Sequence, residues 1–247
     1  MANKGTYGII AAMKIEAEHI VGTMEDVRVE TVGGIEFHIG RVREEDPRAD
    51  GEIGEAELIV AVCGIGKVFA AMCAQTMIVT YAPDRIINTG IAGTLSSGIG
   101  IGDVVLATGV VEHDMDTSAI GDPVGMISGL NVVKMPCADR LVKGELNRAA
   151  IDVIGEEKVF FGVIATGDQF IADAEKKRQI VERFGAVACE MEGGAVGQVC
   201  TANQVPFAVV RTISDSADGG AVEDYPAFAK KSAELSARIV LRAVTMI

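Results

Sequence analysis

LIVAVCGIGKVFAAMCAQTMIVTYA, residues 58–82, is the stretch on which the fold turns. An apolar run leads into a glycine turn, GIG, and then into KVFAAMCAQTMIVTYA, a segment of helix length. Unbroken apolar runs belong to strands buried on both faces, as in parallel sheets covered by helices. The same order recurs at TYGIIAAM (6–13), a strand, followed by the helix KIEAEHIVGTM. Further strands are expected at RIINTG (85–90), DVVLATGVVE (103–112), FFGVIATGD (160–168), GAVACEM (185–191) and PFAVVRTISD (206–215). GIEFHIGRV alternates and suits an antiparallel strand, and the charged REEDPRADGEIGEAE (43–57) reads as a surface loop or hairpin connection. In the C-terminal AFAKKSAELSARIVLRAVTMI, Leu235, Ile239 and Ala243 share a helical face. The expected fold is α/β: a single-domain three-layer α/β/α sandwich over residues 1–247, with a mixed, mostly parallel central sheet. No internal repeat or low-complexity linker divides it.

Composition narrows the function. The net charge of −13 argues against nucleic acid and against an anionic membrane surface as partners. Charged residues interrupt every apolar run short of a membrane span, and the first residues lack the pattern of a signal peptide. Five cysteines in no CxxC pair read as reduced thiols, so a cytoplasmic protein is expected. Three scattered histidines give no metal-ligand spacing, and neither a metal nor a cofactor is expected. With 49% hydrophobic residues, some apolar surface is expected to lie at a subunit interface.

In α/β sheets ligands gather at the carboxyl ends of strands. The polar residues there are Glu16, Asn88, Thr89, Asp168, Glu190, Glu192, Arg211, Ser214 and Asp215, with Gly64, Gly66 and Gly90 beside them. Carboxylates at separate strand ends, without metal spacing, suit acid–base work or hydroxyl binding. Each has a plainer reading: Glu16 could complement a helix dipole, and Asp168 or Asp215 could cap a turn or helix. GIGIGD (98–103) lacks the spacing of a dinucleotide fingerprint and precedes its strand. No phosphate loop GxxxxGK[ST] and no GxSxG elbow occurs.

GIIAAMKIEAE, GIGKVFAA, NTGIAGTL, GDVVLA, ATGDQFI, CEMEGGAVGQVC and VVRTISDSAD together resemble the 5′-methylthioadenosine/S-adenosylhomocysteine nucleosidases of the nucleoside phosphorylase/hydrolase superfamily, over nearly the whole chain. The resemblance implies a homodimer that cleaves the N-glycosidic bond of 5′-thio-substituted adenosines. Glu16 would polarise the attacking water and Asp215 would protonate adenine N7. Glu192 would hold the ribose 2′- and 3′-hydroxyls, with Met191 packing on the sugar and Glu190 as a supporting or water-facing neighbour. Phe170 would stack on adenine, and Ile171 would meet its edge through backbone groups. Met13, Ile65 and Tyr225 would line the ribose and 5′-thio regions, with Arg211 and Ser214 also in the substrate site. HDMDTSAIGDP (113–123) would reach the neighbouring subunit's pocket through Ile120.

The chemistry agrees with these roles. N-glycoside cleavage passes through an oxocarbenium-like ribose and an electron-rich departing purine; an acid at N7 relieves the second and an activated water captures the first. Asp215 should therefore lie in a dry environment that favours its protonated form. The glutamate in AAMKIE stands where related phosphorylases bind phosphate, and a carboxylate there suits water. One departure stands out. The family commonly reads NTGSAGG, whereas this chain has Ile91 and Thr94 in NTGIAGT, so a serine contact near the acid must come from Ser214 or a water. Two alternatives follow: a nucleosidase for another purine nucleoside such as (aminodeoxy)futalosine, or a nucleoside-binding protein with reduced turnover.

Overall fold

A computed structural model describes residues 2–46, 49–50, 52–217 and 221–246. Its elements are β1 (Ala2–Ala11), α1 (Lys14–Thr23), β2 (Glu25–Val32), β3 (Ile35–Asp46), β4 (Glu52–Val62), α2 (Lys67–Tyr81), β5 (Arg85–Thr94), β6 (Val104–Glu112) and β7 (Lys134–Pro136). A π-helical stretch, Arg140–Leu146, runs into α3 (Asn147–Ile154). β8 (Val159–Thr166), α4 (Ala174–Phe184), β9 (Ala186–Glu190), α5 (Gly193–Asn203), β10 (Phe207–Asp215) and α6 (Ala221–Thr245) complete the chain.

One mixed sheet carries all of these strands. β4, β1, β5 and β10 lie side by side in parallel, and so do β6, β8 and β9. Antiparallel pairs join β10 to β6 and β5 to β9, and extend the other edge through β3 and β2. Every residue of β10 is buried, and so is all of β5 after Arg85. Strands buried on both faces need helices on both sides: α2 and α5 pack together, and α1 and α3 pack against α6. The expected three layers are present. An open sandwich omits one feature, however. Because β5 pairs with β10 over Ile86–Gly93, with β1 over Arg85–Asn88 and with β9 through Gly93 and Thr94, the strands β5, β10, β6, β8 and β9 close into a ring.

Within the charged stretch 43–57, residues 43–46 and 52–57 are the ends of β3 and β4, an antiparallel pair whose register runs from Phe37–Ala61 to Asp46–Glu52; residues 47, 48 and 51 lie outside the described residues. Its charges pair across strands, Arg43 Nε with Glu55 at 2.6 Å and Arg43 Nη1 with Glu25 at 3.1 Å, while Val42 and Ala56 turn inward. β2 has no counterpart in the sequence reading. Its residues are mostly exposed, so it carries no alternation of apolar and polar positions. Among the described residues no helix is long and apolar enough to cross a membrane, and the five cysteines are buried free thiols.

The hairpin is pinned to α2 by Phe37, which is fully buried with its ring centroid 5.1 Å from that of Tyr81. Phe37→Ala is expected to lower the unfolding free energy in urea by about 3–5 kcal/mol, the usual cost of emptying a buried aromatic site. A loss below about 1 kcal/mol would show that the hairpin packs independently of this ring.

Candidate active site

β10 carries a guanidinium into the interior. Arg211 is 1% exposed; its Nη2 donates to Asn88 Oδ1 and Glu190 Oε2, and its Nη1 donates to the Val210 carbonyl at 3.2 Å. Burial works against its charge, but Glu190, Glu192 and Glu16 around it more than offset this and hold it firmly protonated. Glu190, at the end of β9, also accepts the backbone N–H groups of Glu192 (3.0 Å) and Gly193 (2.7 Å) on Oε2, and the Thr166 hydroxyl on Oε1. Of the two readings of Glu190, the geometry matches the supporting one: it joins Arg211 to the start of α5 and is 8% exposed.

Glu192 immediately precedes α5 but makes no side-chain bond to that helix. It is buried, and its Oε1 accepts the Gly66 N–H at 2.8 Å. Burial, reinforced by the neighbouring Glu190 charge, pushes its carboxyl up to about 7. Glu16 lies in the first turn of α1, with Oε2 accepting from Ala12 N (2.9 Å) and Met13 N (2.8 Å) and Oε1 accepting from Ile91 N (3.2 Å). The helix-end role is thus real, yet the group is 3% exposed and sits at the cavity; burial raises its pKa against the pull of Arg211 and these N–H groups. Asp215 is equally buried. Its Oδ2 accepts the Ser214 hydroxyl at 2.9 Å and its Oδ1 accepts Ala217 N at 3.0 Å. It fits only because position 93 is glycine, where a Cβ would lie 2.6 Å from Asp215 Oδ1.

These groups share one cavity of about 460 Å³. Met13, Glu16, Ile65, Phe170, Ile171, Glu190, Met191, Glu192, Ser214, Asp215 and Tyr225, all singled out in the sequence, line it. Phe170 and Tyr225 meet edge to face at 5.6 Å, and the Tyr225 hydroxyl donates to Met13 Sδ at 3.2 Å. Ile91 also lines the cavity and packs with Ala229 and Ala233 of α6 beside Met13 and Tyr225. With Ile91 in place of the serine of NTGSAGG, the side-chain hydroxyl seen on Asp215 is that of Ser214.

Several candidates lie outside the lining, among them two of the residues that the resemblance places in the site. Arg211 sits behind the wall and reaches the cavity only through its carboxylates, and Ile120, 82% exposed, is outside the lining. Asp168 accepts Lys67 N at 2.8 Å, so it caps α2. The sequence reading missed Gln169 and Cys189 in the lining, and Thr166 behind it. Only the place of Thr166 at the end of a strand could have pointed to it.

A family model described as the phosphorylase superfamily matches residues 6–245. A 5′-methylthioadenosine/S-adenosylhomocysteine nucleosidase of Shewanella loihica is 37% identical over 95% of this chain and 96% of its own length. The chain belongs to the phosphorylase superfamily and, within it, to the family of these nucleosidases. Among solved structures, the same nucleosidase from Neisseria meningitidis in complex with methylthio-immucillin-A superposes with a TM-score of 0.88 at 33% identity, over 97% of this chain and 98% of that one. The futalosine hydrolase of Helicobacter pylori superposes with a TM-score of 0.84 at 34% identity, over 97% of each chain.

Removing one partner of a buried ion pair leaves the other charge unsatisfied. Glu190→Ala is therefore expected to cost about 3–5 kcal/mol of unfolding free energy in urea titration, whereas a cost below about 1 kcal/mol would mean that Arg211 is satisfied without it.

Proposed function

We propose that the chain hydrolyses the N-glycosidic bond of 5′-methylthioadenosine and S-adenosylhomocysteine, releasing adenine and a 5-thio-substituted ribose. The observation that carries this reading is the convergence of Glu16, Glu192 and Asp215, all buried, on one largely apolar cavity in a chain of this family. Asp215 is the acid toward adenine N7, and Glu16 polarises the water that attacks C1′. Glu192 accepts the ribose hydroxyls, Phe170 and Ile171 hold the base, and Met13, Ile65, Met191 and Tyr225 line the sugar and 5′-thio end. Arg211 holds the carboxylates in place, and Ser214 donates to Asp215. The likeness to a futalosine hydrolase supports a second reading, a different purine nucleoside on the same machinery.

The active form is a homodimer of one-domain chains, residues 1–247 each. Val68, Phe69, Met72 and Val79 give α2 an exposed apolar face, 47–70% accessible at each residue. With exposed Ile120, this face suits a second copy, whose Ile120 would complete the 5′-thio end of the cavity. Free cysteine thiols support a reducing compartment, the cytoplasm.

Incubation with 5′-methylthioadenosine is expected to release adenine without phosphate. Asp215→Asn and Glu16→Gln should each lower kcat by at least about 10²-fold while circular dichroism stays native. Release that requires phosphate, or full activity in either variant, would contradict the assignment.

Glu192 gives a pH signature. Ionised, it accepts from both ribose hydroxyls, so kcat/KM is expected to rise as pH passes about 7, and this limb should vanish in Glu192→Gln. The sign for stability is opposite. A carboxyl raised by burial favours the folded state most below the ordinary carboxylate range, and the ligand-free protein loses that contribution as pH climbs through about 7. A pH profile identical in wild type and Glu192→Gln would remove Glu192 from substrate binding.

A further inference from the structure

Two lips of the cavity come from distant parts of the chain. One is the turn before α2, where Ile65 lines the cavity and the Gly66 N–H holds Glu192. The other is segment 167–171 after β8, which supplies Gln169, Phe170 and Ile171. Lys67 lies between them. Its backbone N–H donates to Asp168 Oδ1 at 2.8 Å, and its ammonium donates to Asp114 Oδ1 at 2.7 Å and to Glu112 Oε2 at 3.1 Å. Asp114 closes the circuit, because its other oxygen accepts the Asp168 N–H at 2.9 Å. Gly66 allows the approach: its φ is +99°, and a Cβ there would lie 2.9 Å from Asp168 Oδ1.

This network differs from the surface ion pairs of the chain. The side chains of Lys67, Asp114 and Glu112 are 20%, 18% and 7% exposed, against 61% and 77% for Lys143 and Asp139. Partial burial strengthens each contact, and every member bonds to another. The Lys67 ammonium neutralises Glu112 and Asp114, the two carboxylates it bonds. Without it these two repel each other, and Asp114 loses the contact that holds it where its other oxygen accepts the Asp168 N–H.

We propose that Lys67 is a positioning residue for the nucleoside: through Asp114 and Asp168 it clasps segment 167–171 to the turn before α2, and so fixes the spacing between Phe170 and Glu192. The roles of Phe170 and Glu192 rest on the nucleosidase reading above; the clasp rests on the hydrogen bonds alone. Lys67 touches neither Glu16 nor Asp215, so its effect falls on binding and spares the chemical step.

The test compares wild type with Lys67→Met, Lys67→Arg and Asp114→Asn by amide hydrogen exchange and by steady-state kinetics with 5′-methylthioadenosine. Lys67→Met is expected to speed exchange across 167–171 and to raise KM about tenfold or more, with kcat changed less than about threefold; Lys67→Arg should recover most of the KM. Lys67→Met combined with Asp114→Asn should be no worse than Lys67→Met alone, because both break one circuit. A role in folding alone would lower the melting temperature and leave the KM of the folded protein native. Native exchange at 167–171, native KM or additive effects would overturn the clasp. If Lys67→Met does not fold, Asp114→Asn carries the same comparison. If wild type releases no adenine, the nucleosidase reading fails by itself, and the clasp stands or falls on the exchange data.

Discussion

A guanidinium held out of water organises the cavity. Arg211 could not remain charged at 1% exposure without close anionic partners, and the fold supplies Glu190 in direct contact with Glu192 and Glu16 nearby. The converse matters as much. Three buried carboxylates could not be gathered in one apolar cavity without a cation behind them, so the pair and the cavity exist together. Glu190 spends its acceptor capacity on Arg211, Thr166 and two backbone N–H groups, whereas Glu192 is tethered by the Gly66 N–H and faces the cavity. Two glutamates two residues apart are thus held differently: Glu190 is satisfied from within, and Glu192, tied only to the Gly66 N–H among the bonds named, lines the cavity.

The sheet explains how these residues meet. Glu190 ends β9 and Asp215 ends β10, and the ring closure brings both strands to β5 at the same residue, Gly93, which pairs with Asp215 on one side and Cys189 on the other. Glu16 enters from the first turn after β1, the neighbour of β5. Asp215, Glu16 and Glu192, the residues proposed as acid, water-side carboxylate and hydroxyl acceptor, therefore stand at or just past adjacent strand ends, positioned by backbone hydrogen bonds. Helices on both faces exclude water, so the carboxyls lie in surroundings where proton affinity can be tuned.

Much of this was legible in the sequence, and the reasons are specific. Strands such as 206–215 and 103–112 are buried on both faces and announce themselves as unbroken apolar runs. β2 is exposed and made no such signal. The site residues were readable because they sit just past apolar runs, and most of them needed the resemblance for their separate roles. Spacing left the directions of Glu190 and Glu192 open, since ACEMEGG crosses from strand to helix. The resemblance separated them, and the bonds to Arg211 and the α5 N–H groups decide between the two readings left for Glu190. The β5–β9 contact spans two residues, Gly93 and Thr94, and pairings that short and distant in sequence leave no pattern to read. The Lys67 circuit joins residues 45 to 101 positions apart for the same reason.

The most direct measurement is a crystal structure of the protein with adenine bound. The base should lie in the cavity against Phe170, with Asp215 within hydrogen-bonding distance of N7 and the Ile171 backbone at the Watson–Crick edge. Ile91 should pack beside the space left for the sugar without contacting N7. Adenine bound outside this cavity, or inside it with Asp215 directed at no ring nitrogen, would contradict the assignment of the acid and with it the proposed reaction.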